Sequence, residues 1–560
     1  MSELHESAEE FFAYNERGST AAKLGSARNA RLNWLESCLF PRSPSVNFLI
    51  IACLSLAFSF VLIGRQVWQA NWGLIDDHEV FRFLGPGLHL PVTDIWSTLL
   101  AKTEVGSLQG RFRPSYYMLK MIETSLWGDN VHLWYLGHTV GFAIFLGSIW
   151  WTMQRFVGTW LSGVLTASIS LLPLWADVWS RLGPSEIYGA TCIGIMVFAA
   201  DSILFSDAPR IRNLNAIVLT LATVALVGMK ETFIPLAGGT FIIFIWAGVS
   251  KRLSPILTGI LASVILACLA GIVFVVRKQV LAVGTDFYAN SVGLWRTLMF
   301  AGLGILDAIL RTWWLYVIPI LFFQLLRVLP RKPLGSWIAD SRVAIGAYGF
   351  LVATYAAQCA LYRSPFPHHS RYDFPAMLLL PLTCCILACD ISWKMRAYFS
   401  ERTINYAQFA AAAFLFFALI FPHWREAPEL FLAARKNIET TNSFYVELQR
   451  ALRAAEKSPE SPIILEAYGP GAYEPVFSLS TYLPALGARN PISVRVHSDE
   501  KSYGKLYDGL QQGLSNVEQA GAGAIVPLRD SLAGQPQGCI SIGINGLPDA
   551  ACSGFRVNTS

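Results

Sequence analysis

The sequence predicts a mainly α-helical membrane protein, in which a polytopic transmembrane helical bundle of about eleven spans precedes a small C-terminal α/β domain. Of the 560 residues, 54% are hydrophobic and only 14% are charged, whereas soluble proteins carry about 25% charged residues. Eleven apolar runs reach the roughly 17–25 residues that an α-helix needs to cross a bilayer. The formal net charge is +5 without a basic block, so composition gives no indication of a nucleic-acid partner.

The apolar runs divide the chain into three predicted parts. Residues 1–45 are a polar cytoplasmic segment without the features of a cleaved signal peptide, 46–422 are the transmembrane domain, and 423–560 are the tail. The eleven runs lie near 46–65, 131–151, 158–176, 186–205, 214–230, 232–249, 255–276, 312–328, 343–361, 374–391 and 405–422. An odd number of spans places the tail across the membrane from the N-terminus.

The distribution of Lys and Arg predicts the orientation, because these residues collect in loops that stay in the cytoplasm. With a cytoplasmic N-terminus, every inside segment carries at least one cation. These cations are Arg155; Arg210 and Arg212; Lys251 and Arg252; Arg327, Arg331, Lys332 and Arg342; and Lys394, Arg396 and Arg402. The N-terminus is therefore predicted to be cytoplasmic and the tail extracytoplasmic.

The tail is less apolar than the bundle, and its patterns predict an α/β domain of about 100 residues. Strands are predicted at 461–465, 492–496, 524–527 and 539–542, and helices at 426–457 and 501–520. Cys539 and Cys552 are its only cysteines, and an oxidising exterior permits a disulfide between them. The other eight cysteines lie in or near spans, or inside, and are predicted to pack as apolar side chains.

An acidic cluster lies in the first outer loop, 66–130, shortly after the first span. Asp76, Asp77, His78 and Glu79 are consecutive, and such a cluster is too costly to place in hydrocarbon, so it is predicted to face water. Adjacent carboxylates repel each other, which raises the pKa of one and suits it to proton transfer. The alternative is a solvated helix cap or an acidic loop without a chemical role.

The same loop contains a pair of cations and two amphipathic segments. Arg111 and Arg113 flank an aromatic residue next to glycine and proline, an arrangement that can fork onto a phosphate. The alternative for this pair is anchoring at the membrane interface. Spacing at 77–84 and 92–103 predicts segments that lie along the membrane surface.

The second outer loop, 177–186, combines ionisable residues with tryptophans. It contains Arg181 and Glu186 and lies beside Trp175 and Trp179. Indoles in this position are either platforms on which sugars stack or anchors in the membrane interface.

The last three outer loops add further ionisable groups. The third is a tight turn with Lys230 and Glu231, which form either an internal ion pair or a projection into a cavity. The fourth is predicted as a loop over 277–311. The fifth, 362–373, has the composition of an anion site. It contains two arginines, two histidines and two tyrosines, which are Arg363, Arg371, His368, His369, Tyr362 and Tyr372.

These features together resemble the GT-C superfamily of polytopic membrane glycosyltransferases. The resemblance rests on the N-in first span, the long loop with Asp76 and Asp77, the 110–114 stretch, the turn at Lys230 and the fifth loop. It covers the membrane region, and the tail resembles the extra domains of that superfamily in position. It implies a GT-C-like bundle in a bacterial inner membrane, with a role in glycan biosynthesis for the cell envelope.

The resemblance implies transfer of a hexosyl or pentosyl group, with inversion, from a polyprenyl-phosphate donor to an extracytoplasmic glycan, lipid or protein. Asp76 or Asp77 would be the general base, and cations would offset the charge that develops on the departing lipid phosphate. The phosphate-binding candidates are Lys230, His368, His369, Arg371, Arg111 and Arg113, and the candidates for substrate or metal contacts are Glu79, Glu231 and Tyr372. No cofactor is required; if a divalent cation such as Mg²⁺ or Mn²⁺ is used, Asp76, Asp77 and Glu79 would hold it.

Two other classes stay open. A transporter or lipid flippase would place ionisable groups near the middle of several spans, whereas Asp201 and Asp390 lie near the inner boundary and Glu186 near the outer one. A polymerase or ligase of lipid-linked glycans shares the substrate class but needs no acidic cluster in its first loop.

The transferase hypothesis makes a geometric prediction. At least one of Asp76 and Asp77 should share an outer cavity with two or more of Lys230, His368, His369 and Arg371. Carboxylate and cation should lie on the order of 5–12 Å apart, because each must reach its own end of one sugar.

Overall fold

The computed structural model describes fifteen stretches of the chain. They are residues 44–75, 77–84, 87–107, 112–170, 175–280, 294–312, 336–362, 371, 374–396, 399–415, 429–468, 470–497, 517–520, 539–544 and 553–557.

The first part of the chain is helical. Its helices are α1 (Pro44–Leu62), α2 (Gln66–Gln69), α3 (His78–Phe81), α4 (Ile95–Lys102), α5 (Glu104–Ser107), α6 (Pro114–Trp127), α7 (Val131–Val157), α8 (Thr159–Ser170), α9 (Ala176–Trp179), α10 (Glu186–Phe205), α11 (Pro209–Val227), α12 (Ala237–Val249), α13 (Pro255–Val280), α14 (Leu294–Thr312), α15 (Ser336–Tyr362), α16 (Ala376–Met395) and α17 (Glu401–Leu415). Short 3-10 segments at Val92–Asp94 and Glu231–Leu236 lie between them. The prediction of a mainly α-helical bundle is confirmed.

Among the described residues, six helical segments are long and apolar enough to cross a membrane. They are Ser45–Leu62, Val131–Val157, Glu186–Phe205, Pro209–Val227, Glu231–Val249 and Pro255–Val275. Helices α15 and α16 cover the predicted spans 343–361 and 374–391, and α8 and α17 cover parts of 158–176 and 405–422. The predicted span 312–328 lies almost wholly outside the described residues. The chain is an integral membrane protein, and the count of eleven spans stays a prediction.

The predicted fourth loop contains a helix that sequence analysis missed. Helix α14 occupies 294–312 and packs along α15, where the Tyr355 hydroxyl donates to Asp307 Oδ2 at 2.8 Å. Arg296, Asp307 and Arg311 interrupt its apolar residues. No uncharged run long enough to predict a span was therefore visible there.

Two long helices of the bundle run in the same direction. Near their first turns, the Tyr188 hydroxyl of α10 is 3.5 Å from Nε2 of His138 on α7. Near their last turns, Arg155 of α7 donates to Asp201 of α10. Helix α16 ends at the same place, since Arg396 donates to the Phe156 carbonyl at 3.3 Å. We call the end where α7 and α10 begin the Asp77 end, and the opposite end the Arg155 end.

The tail contains a five-stranded parallel sheet with two helices. Its elements are α18 (Glu429–Lys457), β1 (Ile463–Tyr468), a 3-10 turn at Pro470–Ala472, α19 (Tyr473–Ala485), β2 (Ile492–His497), β3 (Val517–Ala520), β4 (Ile540–Ile544) and β5 (Ser553–Val557). The strand order is β3-β2-β1-β4-β5 and every pairing is parallel. Near-continuous burial of β1 and β4 is typical of a central parallel strand.

The predicted elements of the tail agree with the structure in part. Strands β1, β2 and β4 and helix α18 lie where they were predicted. The predicted helix 501–520 is wrong over 517–520, which pair with β2 as an edge strand, and β5 was not predicted. The predicted strand 524–527 and Cys552 lie outside the described residues, while Cys539 is disulfide-bonded.

The tail and the first outer loop share one hydrophobic core. Trp72 and Phe81 of the loop pack in the same cluster as Trp134 of α7, Phe444 of α18 and Tyr482 of α19. The tail therefore sits at the Asp77 end of the bundle, on the same side as the first outer loop. Which side of the membrane this end faces stays a prediction.

Candidate functional site

Asp77 lies in a turn that is fixed by its own carboxylate. Asp77 Oδ2 accepts a hydrogen bond from the Gly73 backbone N–H at 2.6 Å. The Trp72 ring, which is buried, packs edge-on against Phe81 and Trp134 on either side. Helix α3 begins at the residue after Asp77, but the carboxylate does not cap it.

This arrangement corrects the expectation that Asp77 faces bulk water. The residue is only 3% exposed, so it is neither a solvated cap nor an open acidic loop. It is buried because the tail covers the first loop, a contact that no local sequence pattern indicates. Asp76 lies outside the described residues, as does the side chain of Glu79.

The Asp77 charge acts on three buried tyrosines, Tyr135, Tyr188 and Tyr482, and raises the pKa of each. The Tyr482 hydroxyl donates to the Gly73 carbonyl at 2.7 Å and so holds the turn from the other side. Burial, followed by the Asp77 charge, raises the pKa of Tyr482 well above its usual value of 10. Tyr482 therefore stays a neutral hydrogen-bond donor at physiological pH.

Asp77 lines a polar cavity of about 230 Å³ between the bundle and the tail. Three parts of the chain form its walls: the first outer loop, the α9 segment and helix α18. The lining residues are Gly73, Leu74, Ile75, Asp77, Ala176, Asp177, Ser180, Arg181, Ala433, Lys436, Asn437, Thr440 and Thr441. Two carboxylates and two cations thus face the same small space, together with several hydroxyl and amide groups.

Hydrogen bonds fix α18 against the first loop. The Asn71 backbone N–H donates to Thr441 Oγ1 at 3.2 Å, and its side-chain amide donates to Asn442 Oδ1 at 2.7 Å. The Asn437 amide donates to Gln66 Oε1 at 2.7 Å and to the Tyr135 hydroxyl at 2.9 Å. The wall that α18 contributes to the cavity is therefore held in register with Asp77.

Sequence reasoning missed the residues of this wall. The sequence predicts Lys436, Asn437, Thr440 and Thr441 only as part of a helix. One signal was available, because residues 440–443 are uncharged polar residues with low helix propensity inside a long helix. Such a run indicates that the helix face serves something other than helix stability.

The second outer loop contributes a cation but not aromatic platforms. Arg181 lies 3.5 Å from Asp177, and both side chains are partly exposed at the cavity. Trp175 and Trp179 are fully buried, and their rings pack against Phe145 and Phe142. Both expectations for these indoles, sugar stacking and interfacial anchoring, are therefore wrong, because the indoles belong to the core.

A second charged cluster joins the second, third and fifth outer loops. Lys230 Nζ donates to Glu186 Oε1 at 2.5 Å, and both side chains are less than 5% exposed. Arg371 adds its positive charge to the surroundings of Glu186. Phe374, three residues further along, packs its ring against Phe233. Loops separated by more than a hundred residues therefore meet at one place.

Arg113 and the third loop are also neighbours. Its guanidinium Nε is 3.7 Å from Glu231 Oε2, and the Ser115 backbone N–H donates to the Gly228 carbonyl at 3.0 Å. Helix α6 thus begins against the turn that holds Lys230. The two residues of this turn form separate ion pairs. Lys230 pairs with Glu186 on α10, and Glu231 pairs with Arg113 at the start of α6.

A buried network, not predicted from the sequence, links α6 to the second loop. Lys120 Nζ donates to the Leu182 carbonyl at 2.7 Å and lies 3.8 Å from Glu123 Oε2. The Tyr188 hydroxyl donates to the same Glu123 oxygen at 2.5 Å. Burial raises the pKa of Glu123, although the Lys120 charge opposes the shift. The network holds the first turn of α10 near the Asp77 cavity and near the cluster of Lys230, Glu186 and Arg371.

The predicted site residues are brought together in part. Asp77, Arg113, Lys230, Glu231 and Arg371 all lie at the Asp77 end, yet neither Lys230 nor Arg371 belongs to the described lining of the Asp77 cavity. Arg111, His368, His369 and Tyr372 lie outside the described residues. Among the described side chains, no group of three or more His, Cys, Asp or Glu is placed to hold a metal ion. The shared-cavity prediction therefore stays a prediction.

The fold and the site define an integral membrane protein with a polar, charged cavity between its helical bundle and its α/β unit. No family model matches the chain, and no curated protein matches its sequence. Similar solved structures include ArnT from Cupriavidus metallidurans bound to undecaprenyl phosphate, at 13% identity and a TM-score of 0.40, over 85% of this chain and 90% of that one. The apo state of ArnT gives 13% identity and a TM-score of 0.41, over 88% and 91%. At this level of similarity, no residue role, ligand or activity transfers to this chain.

Proposed function

We propose that the chain is a membrane glycosyltransferase that moves a sugar from a polyprenyl-phosphate donor to an extracytoplasmic glycan, lipid or protein, with inversion. One observation supports this most directly. A buried carboxylate, Asp77, lines a polar cavity at the end of a membrane bundle, and cationic side chains from four outer loops collect around the same end.

Asp77 or its neighbour Asp76 would be the general base. In this reaction the base accepts the proton of the acceptor hydroxyl as its oxygen attacks the anomeric carbon and the bond to the lipid phosphate breaks. One oxygen of Asp77 is already fixed by the Gly73 N–H, which orients the carboxylate for the proton. A cavity shared with hydroxyl and amide groups of α18 suits an acceptor that presents several hydroxyls.

The cations would offset the charge that develops on the departing phosphate. Lys230, Arg113 and Arg371 are proposed for this role together with His368, His369 and Arg111, as the sequence suggested. Glu186 and Glu231 hold Lys230 and Arg113 in position. Arg181 and Lys436 are added because they line the Asp77 cavity. If a divalent cation takes part, Asp76, Asp77 and Glu79 remain the residues proposed to hold it.

The location follows from the same chemistry. The polyprenyl tail of the donor must stay in the bilayer while its sugar reaches the Asp77 end. The disulfide at Cys539 supports an oxidising compartment for the tail. We therefore propose a cytoplasmic N-terminus and an extracytoplasmic Asp77 end, with 46–422 as the catalytic bundle and 423–560 as the extracytoplasmic domain, in a bacterial inner membrane.

The test follows consumption of the donor. Proteoliposomes containing the purified chain are incubated with a panel of radiolabelled polyprenyl-monophosphate sugars and with envelope extract as the acceptor. The proposal expects release of polyprenyl phosphate and label in a product for at least one sugar. The double variant Asp76→Asn/Asp77→Asn should abolish turnover, whereas Asp94→Asn, an exposed carboxylate in the same loop, should keep it.

Two other outcomes would replace the proposal. Label that crosses the bilayer while still attached to its lipid would indicate a transporter or flippase. Consumption of lipid-linked oligosaccharides, with no reaction of monophosphate sugars, would indicate a polymerase or ligase.

A further inference from the structure

A second cavity extends toward the Arg155 end of the bundle, where its charged residues Asp201 and Asp390 lie far from Asp77. It has a volume of about 550 Å³ and lies between α7, α10, α15 and α16. That volume is within the range of small-molecule sites, about 300–1,000 Å³. Its walls are almost entirely apolar, with residues such as Met153, Phe350 and Leu379.

Two polar atoms in these walls have no hydrogen-bond partner among the described residues. They are Oδ1 of Asp201, on α10, and Oγ1 of Thr152, on α7. Both atoms are buried, and both residues line the cavity. Buried polar groups are nearly always paired, so two unpaired ones in a single apolar space indicate a missing partner.

The charges of the cavity balance one another. Asp201 Oδ2 accepts from Arg155 Nη2 at 3.2 Å, and Asp390 Oδ2 accepts from Lys394 Nζ at 2.6 Å. Arg155 is itself fixed over the Phe205 ring, with its guanidinium carbon 4.9 Å from the ring centre. Since each carboxylate already has its own cation, the missing partner does not need to bring a charge.

From these observations we infer that the cavity binds a neutral, long-chain alcohol from the membrane. A hydroxyl both donates and accepts, so one group can donate to Asp201 Oδ1 and accept from the Thr152 hydroxyl. An ammonium head group could donate to both atoms, but it would add a positive charge to a cavity whose charges already balance. An ionised phosphate has no proton to donate to the Asp201 carboxylate. The apolar walls then take the hydrocarbon chain, whose transfer from water into such a space is favourable.

This site is separate from the proposed transfer reaction. Asp201 is fifteen positions beyond Glu186 on α10, and at about 1.5 Å per residue the two ends lie roughly 20 Å apart. The ligand is therefore proposed as a lipid that occupies the bundle, independent of the donor whose sugar reaches Asp77.

Photo-crosslinking of the full chain in nanodiscs tests this inference. The probe is a hexadecanol with a diazirine in its chain, and the two comparison probes are its methyl ether and its alkylammonium analogue. The alcohol should label peptides of α7, α10 and α16 about tenfold more than the ether, because it alone donates to the carboxylate. Competition with unlabelled geranylgeraniol or with monoacylglycerol distinguishes an isoprenoid alcohol from an acylglycerol.

Three variants complete the design. Asp201→Leu should reduce labelling by the alcohol to the level of the ether, while Asp207→Leu, an exposed carboxylate just beyond the same helix, should leave it unchanged. Ala347→Phe places a ring in the cavity and should abolish labelling by all probes. Thermal unfolding of each variant reports whether it is folded, and the Ala347→Phe result stands even if Asp201→Leu does not fold.

The inference is overturned by any of three results. Equal labelling by alcohol and ether would mean an apolar space only, with water at the polar atoms. Stronger labelling by the ammonium probe would mean that the ligand is a cation. Labelling that persists in Ala347→Phe would place the probe outside the cavity.

Discussion

The two ends of the bundle each bury an aspartate beside a cavity, in opposite surroundings. Asp77 faces a small polar space whose walls come from three distant parts of the chain. Asp201 faces a larger apolar space between helices that were visible as spans in the sequence. The exposed fraction is 3% for both residues, so burial alone does not separate them. The difference lies in the neighbours, which suit proton transfer at one end and retention of a lipid at the other.

The largest expected effect comes from removing the Asp77 carboxylate. Asp77→Asn keeps the volume but removes the base, and loss of a general base costs about 10²–10⁴ in rate. Asp201→Asn is expected to lower the transfer rate far less, because it lies at the opposite end. Initial rates in proteoliposomes measure both. Equal losses in the two variants would remove the distinction between the two cavities.

The next effect concerns the buried ion pair at the Asp77 end. Lys230→Met removes the direct ion-pair partner of Glu186, which is only 3% exposed, and leaves it the Arg371 charge alone. This loss is expected to cost about 3–5 kcal/mol of stability. The double variant Lys230→Met/Glu186→Leu should recover most of the loss. Thermal unfolding in detergent measures these changes. Arg450→Met, which breaks an exposed pair with Glu447, is the control and should cost about 1 kcal/mol or less.

A smaller effect distinguishes a hydrogen bond that positions Asp77 from one that only stabilises the fold. Tyr482→Phe removes the hydrogen bond to the Gly73 carbonyl and should cost about 1 kcal/mol. Tyr355→Phe removes a bond of similar length to the Asp307 carboxylate and should cost somewhat more, about 1.5–3 kcal/mol, because the acceptor is charged. Only Tyr482→Phe should also lower the transfer rate, since Gly73 holds the Asp77 carboxylate. If both variants turn over at the wild-type rate, the turn does not position the base.

The smallest effect is a dependence of stability on pH. The pKa of Glu123 is raised by burial, so the folded state holds its proton more tightly than the unfolded state does. The resulting stability is present below about pH 4.5, the usual pKa of a glutamate. It is lost as the pH rises through the raised pKa of the folded state. The Tm of wild type should therefore fall relative to that of Glu123→Gln as the pH increases above 4.5.

Exposed Glu439 provides the control for this titration. Glu439→Gln should follow the wild-type curve. A difference between wild type and Glu123→Gln that does not change with pH would contradict the burial argument.

The sequence alone predicted the elements that a local residue pattern determines. Apolar length predicted the spans, and alternation with β-branched residues predicted three of the five described strands of the tail. The missed elements are those without such a signal. Helix α14 is broken by charges, and the edge strand β3 is only four residues long, so tertiary pairing rather than propensity decides its structure.

The candidate site was predicted less completely, for a physical reason. Asp77, Lys230 and Arg371 are visible because charge is rare in this chain. The burial of Asp77 and the wall at Lys436 and Thr440 depend on contacts between residues more than 350 positions apart. A single sequence contains no record of such contacts, so a loop predicted to be solvated proved to be covered by the tail.

The central claim is that sugar transfer takes place at the Asp77 cavity. The most direct measurement is a cryo-EM structure of the chain in nanodiscs with a non-transferable phosphonate analogue of the polyprenyl-phosphate sugar that the turnover assay identifies. The account predicts the sugar within hydrogen-bond distance of Asp77 or Asp76, with the phosphonate beside the cations at that end and the lipid chain in the bilayer. A sugar bound elsewhere, with Asp77 still enclosed and out of its reach, would contradict the account.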